Sequence, residues 1–183
     1  MKRALLLLSL LASTAQADPL PHGWLLAGSA RESYLSGVDT AIKASGNGSG
    51  FLASKPGVDL HSEGFGTVLQ RFAADAYRGR KVRFRARVRA QNVKGWAGLW
   101  MRVDGAGTPP ATLAFDNMAD RAIVGTSDWT PYEIVLDVPG DSTNISIGIL
   151  LAGQGQVWID DGSFAPAEGA AVEGGPEGLG FEP

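Results

Sequence analysis

The chain has 183 residues with 16 basic and 19 acidic side chains, which gives a formal net charge of −3. This balance argues against non-specific binding to nucleic acid, which requires a basic surface. The absence of cysteine excludes disulfide bonds and a cysteine nucleophile, so the fold must be held together by packing alone.

The first 17 residues have the pattern of a secretory signal peptide. Lys2 and Arg3 precede the apolar run at 4–13, and Ala15-Gln16-Ala17 offers the small residues that a signal peptidase requires. We therefore expect cleavage after Ala17 and a periplasmic or extracellular location. The apolar run is too short to span a bilayer and no later stretch approaches its length, so we predict no transmembrane segment.

The rest of the chain, from 18 to 164, is dominated by short segments in which apolar and polar residues alternate. This period of two is typical of half-buried β-strands, and the turns between them are rich in Gly, Pro, Asn and Asp. Such a pattern predicts an all-β fold, a two-sheet antiparallel β-sandwich of jelly-roll type. The predicted strands are 65–72, 81–90, 96–104, 111–116, 132–138, 145–151 and 156–161.

The segment KVRFRARVRA at 81–90 places four arginines on one face of a strand and four apolar residues on the other. Guanidinium groups suit anionic ligands, so Arg85 and Arg87 are candidates for recognising acidic sugars. The alternative is a solvated sheet face, on which Glu133 and Asp137 pair with the arginines.

The segment WAGLWMRVD at 96–104 alternates in the same way. If Leu99 and Met101 face the core, then Trp96, Trp100 and Arg102 face outward and form an aromatic and cationic surface. Such a surface suits carbohydrates, whose C–H faces stack on indole rings. The alternative is that Trp100 is covered by a loop or by side chains of a neighbouring strand.

The next segment, LAFDNMADR at 113–121, supplies polar groups at the end of a strand. Asp116 and Asn117 follow Phe115 at a position where a rigid scaffold presents loop residues to ligands. The alternative is local, because Asp and Asn side chains often bond nearby backbone amides and shape turns without any ligand.

Catalytic patterns are weak. There is no G-x-S-x-G, and His22 and His61 are the only histidines; His61 with Glu63 would be a poor metal site. A weak glycoside hydrolase would require two acidic residues that converge in one pocket. The candidates for such a pair are Glu63, Asp104, Asp116, Asp120 and Glu133.

The last segment, 165–183, consists almost entirely of Gly, Ala, Pro and Glu. It has too few apolar residues to offset the entropy of ordering, so we expect a disordered tail. A flexible acidic linker, or a segment that folds back on the basic face, is the alternative.

Several blocks together resemble galactose-binding-like jelly rolls and are similar to family 4 and 9 carbohydrate-binding modules over residues 24–164. These blocks are AIKASGNGSGFLAS (41–54), SDWTPYEIVLDVP (127–139) and GQGQVWIDDGSF (153–164). GWAGLWMRVDG, LAFDNMADR, GTSDW and GILLAGQGQVW, in that order, resemble a poorly characterised bacterial domain. That domain occurs alone after a signal peptide or attached to hydrolases and transcription regulators.

The resemblance implies the fold and, by analogy, ligand binding. It implies structural roles for Trp129 and Tyr132, which we therefore assign to the core. It also matches Asp160 to an aspartate that in related modules sometimes helps to hold a structural calcium ion. Calcium is the one cofactor that the resemblance suggests, and it needs six to eight oxygen ligands. The arginine-rich strand departs from a groove for neutral glucans and favours an anionic glycan.

We therefore expect an exported, non-catalytic module that binds a carbohydrate or envelope glycan. The expected site consists of Trp96, Trp100, Arg102, Asp116 and Asn117, with Arg85 and Arg87 supplying charge. The alternative is a protein-interaction or accessory module of the cell envelope, because Trp and Arg are also enriched at protein interfaces.

Overall fold

A computed structural model describes residues 18–58, 64–169, 172–173 and 175–182. The predicted signal peptide, and the His61 and Glu63 pair, lie outside these residues. The described residues form eight strands and three single-turn 3₁₀ helices, and none of their helices is long and apolar enough to cross a membrane. The strands are β1 (Trp24–Ala27), β2 (Tyr34–Asp39), β3 (Ser49–Ser54), β4 (Phe65–Ala73), β5 (Arg80–Asp104), β6 (Thr112–Asp116), β7 (Ile123–Val138) and β8 (Asn144–Pro166).

Strands β5 and β8 are the longest and pair with each other antiparallel along almost their whole length. The pairing runs from Val82 opposite Pro166 to Asp104 opposite Asn144. At one end of this pair the strand order is β1-β4-β8-β5-β6, and at the other end it is β2-β3-β8-β5-β7. The predicted antiparallel β-sandwich is confirmed, and its two halves share these two strands.

Glycines mark the place where the two long strands bend. Gly95 lies opposite Gly153, and both have positive φ angles, 111° and 87°. A Cβ atom on Gly95 would collide with the carbonyl oxygen of Ala152, and one on Gly153 with that of Lys94. The close backbone approach lets both strands continue from one half of the sandwich into the other, and it joins two predicted strands into one β5.

The core follows the predicted alternation. Alternate residues of β5 are buried in two runs, from Val82 to Ala90 and from Ala97 to Val103, and the phase changes at the register shift between Gln91 and Lys94. Both runs pack with apolar residues of β8, β4 and β7 in one cluster. Phe84, Leu99, Met101 and Val103 are fully buried. Trp129 and Tyr132, expected in the core, are each half-buried, and Tyr132 packs against its edge.

The segment 165–183 differs from the expectation of disorder. Its first residues extend β8 to Pro166, and the described residues near its end pack against the sandwich. Phe181 is fully buried, with its ring centroid 4.6 Å from that of Trp24. The ring occupies the space that the missing side chain of Gly50 leaves open. A single large aromatic group thus anchors a segment whose average composition predicts disorder.

Polar contacts fix the same segment. The side chain of Gln70, which is buried in β4, donates to the carbonyl oxygen of Glu177 at 2.9 Å and accepts from its backbone N–H at 2.9 Å. The indole N–H of Trp24 donates to the same carbonyl at 3.2 Å. These bonds satisfy a buried amide that would otherwise destabilise the sheet.

We predict that Phe181→Ala lowers the free energy of unfolding by about 3–5 kcal/mol, because it leaves a cavity between the tail and the strands. Urea denaturation of the chain from residue 18 onward measures this loss. Glu173→Ala, a change at an exposed tail position, is the matched control and should leave the midpoint unchanged. Equal midpoints for both variants would show that the tail does not pack as described.

Candidate functional site

An apolar cleft with a volume of about 380 Å³ lies on the outer face of the β1-β4-β8-β5-β6 half. Three central strands supply its floor, in cross-strand rows that follow from the register. Successive rows are two residues apart, or about 7 Å, along the strands. From one end the rows are Phe65–Ala152–Trp96, Thr67–Leu150–Gly98, Leu69–Gly148–Trp100 and Arg71–Ser146–Arg102. We call this surface the aromatic cleft.

Trp100 forms the middle of the floor. It lies directly opposite Gly148, and a Cβ atom on that glycine would come within 3.0 Å of the indole nitrogen. The ring therefore extends across the glycine towards β4, where its N–H donates to the Thr67 hydroxyl at 2.7 Å. That hydroxyl in turn donates to the carbonyl oxygen of Ile149 at 2.8 Å. Trp100 is only 9% exposed, so its ring is held in one position.

Three further aromatic residues line the cleft with larger exposed areas. Trp96 is half-buried, Phe65 is 37% exposed and Phe115 is 51% exposed. Gly98 lies between the two tryptophans on the same face of β5, and a Cβ atom there would come within 2.8 Å of the Asn117 carbonyl oxygen. The small residue lets the β6 end approach the floor, so that Asn117 joins the lining.

Charge is concentrated in the last row. Ser146 of β8 lies in register with Arg71 on one side and with Arg102 on the other. The Nε of Arg71 donates to the Ser146 hydroxyl at 3.2 Å, and the Nε of Arg102 lies 2.9 Å from a carboxylate oxygen of Asp104. The Asp104 side chain is only 2% exposed, and Arg71 also approaches it, at 3.9 Å. One buried carboxylate therefore orients two arginines at the end of the cleft.

Four of the seven predicted ligand-binding residues meet in this cleft: Trp96, Trp100, Arg102 and Asn117. The tryptophans are not packed between the sheets. Trp100 is nevertheless covered by neighbouring strands, which was the alternative considered for it. Four of the other lining residues, Phe65, Thr67, Arg71 and Ser146, were not predicted. The alternation in FGTVLQRF at 65–72 indicates that Phe65, Thr67 and Arg71 share one face of a strand. Only the register of β4 with β8 shows that this face lies beside the tryptophans.

The prediction for Asp116 differs from what the structure shows. Its side chain lies outside the cleft, where it accepts from the backbone N–H of Met118 at 2.8 Å and pairs with Arg121 at 2.6 Å. These contacts raise the pKa of Arg121, with the hydrogen bond to Asp116 as the largest cause. Asp116 therefore shapes the turn after β6, which was the local alternative, because Phe115 and Asn117 take the cleft side of the strand.

Arg85 and Arg87 lie in the other half of the sandwich, in a shallow pocket with Glu133 and Asp161. Arg85 hydrogen-bonds the Glu133 carboxylate, which Arg83 also approaches at 3.2 Å. Arg87 is 3.9 Å from Asp161. The prediction that these arginines supply charge beside the tryptophans is therefore wrong. They belong to an ion-paired sheet face, as the alternative held, because β5 passes from one half of the sandwich to the other at Gly95.

Glu133 of the shallow pocket does not suit the role of general acid in glycoside hydrolysis. Hydrogen bonding by Arg85 lowers the pKa of Glu133, with the charges of Arg85 and Arg83 as further causes. A general acid in such a reaction requires a raised pKa. The described lining of the aromatic cleft contains no Asp or Glu, so the structure offers the hydrolase hypothesis no suitable pair there.

Asp160 does not present a ready calcium ligand. One carboxylate oxygen accepts from the backbone N–H groups of Ala44 and Ser45, at 2.7 and 3.1 Å, and the other accepts from Asp161 at 2.7 Å. No group of three His, Cys, Asp or Glu among the described residues could hold a metal ion. Asp160 fits a structural role in joining the 44–45 turn to β8, and the calcium prediction finds no support in this donor set.

The sequence matches no protein-family model. It is 43% identical over 138 residues to an uncharacterised HTH-type transcriptional regulator, YbfP, of Bacillus subtilis (strain 168). The match covers 75% of this chain but only 45% of the regulator. The chain therefore corresponds to less than half of that protein.

Solved structures of similar fold include carbohydrate-binding modules. The CBM22-1 xylan-binding domain of Paenibacillus barcinonensis Xyn10C superposes with a TM-score of 0.58 at 13% identity, covering 84% of this chain and 91% of the domain. The C-terminal family 22 module of Clostridium thermocellum Xyn10B gives 0.53 at 16% identity, with 83% and 89% coverage. At such identities the likeness shows the fold alone, and it confirms the predicted resemblance to jelly-roll carbohydrate-binding modules.

We predict that Thr67→Val lowers the free energy of unfolding by about 1–3 kcal/mol, because it leaves the buried indole N–H of Trp100 without an acceptor. Thr67→Ser keeps the hydroxyl and is the matched control. Urea unfolding of both variants measures the difference. Equal stabilities would mean that the bond to Trp100 does not hold the ring.

Proposed function

We propose that this protein is a non-catalytic carbohydrate-binding module and that the glycan lies along the aromatic cleft. The observation that carries the proposal is the placement of two tryptophans and two phenylalanines along one open sheet face. Polar groups of Arg71, Arg102 and Asn117 lie on the same face. The fold shared with carbohydrate-binding modules supports the proposal.

The chemistry of the cleft suits a sugar chain. Apolar C–H faces of pyranose rings pack on aromatic rings, while a small number of polar side chains fix their orientation. The Trp96 and Arg102 rows are six residues apart on β5, or about 20 Å. The cleft is therefore long enough for a short oligosaccharide. The bond from Trp100 to Thr67 reduces the entropy that the ring would lose on binding.

We predict that Trp96→Ala weakens glycan binding by at least about tenfold, because it removes an exposed stacking platform at one end of the cleft. The measurement is calorimetric titration with a panel of neutral and acidic oligosaccharides, xylohexaose among them. Trp129→Ala is the matched control, since Trp129 is also half-buried but lies in the other half of the sandwich. Binding that survives Trp96→Ala, or that fails equally in the control, would place the sugar elsewhere.

A protein-interaction module is the second candidate, and the exposure of Phe65 and Phe115 favours it. Exposed aromatic groups are common anchors of protein interfaces. Self-association in sedimentation that disappears in Phe115→Ala would support this candidate. Glycan binding by a monomeric protein would favour the carbohydrate-binding module.

We also propose that the protein is exported, on the strength of its first 17 residues. Expression of the full chain in a bacterial host should yield a mature protein that begins at Asp18 in the fraction outside the inner membrane. Intact-mass measurement tests this expectation. Ala17→Arg should block cleavage, and Ala12→Val, within the apolar run, should not. An unprocessed wild-type chain inside the cell would contradict the proposal.

A further inference from the structure

Charge in the aromatic cleft is unbalanced. The two arginines of the last row, Arg71 and Arg102, are the charged side chains of its described lining, and no carboxylate lines it with them. The carboxylate that orients them belongs to Asp104, which is buried two residues beyond Arg102 on β5 and supplies a single negative charge for the two positive ones. The end of the cleft therefore keeps a net positive charge.

Both guanidinium groups have donors to spare. Among the described residues, Arg102 bonds Asp104 through Nε and Nη2, and Arg71 bonds Ser146 through Nε. These contacts leave the Nη1 group of each arginine for a ligand. The Arg71 side chain is 50% exposed and that of Arg102 is 35% exposed, so both groups are accessible from the cleft.

The two arginines stand on opposite sides of Ser146, one strand away on each side. Their backbones are therefore about 10 Å apart, two strand spacings, and their side chains can converge over β8 from both sides. A planar carboxylate has two oxygens, each of which can accept from a different guanidinium group. The row is thus shaped for a carboxylate that arrives above Ser146.

We propose that the aromatic cleft selects an acidic glycan and binds the carboxylate of a uronic acid unit between Arg71 and Arg102. The neighbouring sugar units then stack over Trp100 and towards Trp96, which are one and three rows away. Because the charged row lies at one end of the cleft and Trp96 at the other, the cleft also fixes the direction in which the sugar chain binds. This inference rests on the proposed carbohydrate binding and names the substrate class of the same cleft.

The test compares acidic oligosaccharides with their neutral counterparts. Tetramers of galacturonic, mannuronic and glucuronic acid are each titrated beside the same tetramer after its carboxyl groups have been reduced to alcohols. Reduction keeps linkage and ring configuration and replaces each carboxylate by a hydroxymethyl group, so that the charge and the planar acceptor are lost together. We expect at least one acidic tetramer to bind about tenfold or more tightly than its reduced form, with a preference that falls as salt is raised.

Arg71→Met is the variant that tests the assignment, because Arg71 is half-exposed and its contact with Asp104 is long. It should remove most of the acidic preference, so that the acidic and reduced tetramers bind this variant with similar affinity. Arg102→Lys keeps the charge beside Asp104 but loses the planar fork, and it should lower the preference with little effect on folding. Arg87→Met, in the other half of the sandwich, is the matched control.

The outcomes distinguish failure of the acidic-glycan inference from failure of the carbohydrate-binding proposal. Equal binding of acidic and reduced tetramers, sensitive to Trp96→Ala, overturns the acidic-glycan inference and leaves the carbohydrate-binding module standing. An acidic preference that is lost in Arg87→Met but kept in Arg71→Met overturns the assignment to this row. Binding of neither series overturns both proposals.

Discussion

The pairing of β5 with β8 is the constraint on which the rest of the structure depends. Two strands of more than twenty residues each pair antiparallel across both halves of the sandwich, with register shifts between Arg85 and Arg87 and between Gln91 and Lys94. Every other sheet strand is attached to one of them directly or through one neighbour. Because a register shift of one residue would turn every side chain to the opposite face, this one ladder decides which residues reach the core and which reach the cleft.

The bend at Gly95 and Gly153 divides β5 into two functional environments. Before the bend, arginines alternate with core residues and meet acidic side chains of β7 and β8 in exposed ion pairs. Exposed pairs of this kind contribute little free energy and present little uncompensated charge. After the bend, Arg102 shares a buried carboxylate with Arg71, and the excess positive charge faces an aromatic surface. Residue type alone does not distinguish these two sets of arginines.

Support for the cleft lies beneath it and at its edges. The Thr67 hydroxyl connects the Trp100 indole to the backbone of β8, and Gly148 provides the room for the ring. Gln70 follows on the opposite face of β4 and bonds the returning tail. The strand that supplies Phe65 and Arg71 to the cleft is therefore held from its other face by the last residues of the chain.

The sequence by itself determined the class of fold and the faces of its strands. Alternation is a local property, since successive side chains of a strand point in opposite directions, and it was enough to assign Leu99 and Met101 to the core. The same rule placed Trp96, Trp100 and Arg102 together on the other face.

Only the tertiary structure decided what lies beside that face. Arg71 and Ser146 come from segments 31 and 44 residues away from Arg102, and long-range register, which no local pattern encodes, brings them into one row. Arg85 shares a strand with Trp100 yet lies in the other half. The register shift between Gln91 and Lys94 also moves the core face of β5 from even-numbered residues, such as Phe84, to odd-numbered ones, such as Leu99. Composition alone did not predict the burial of Phe181, because one buried ring can order a segment that has few large apolar side chains.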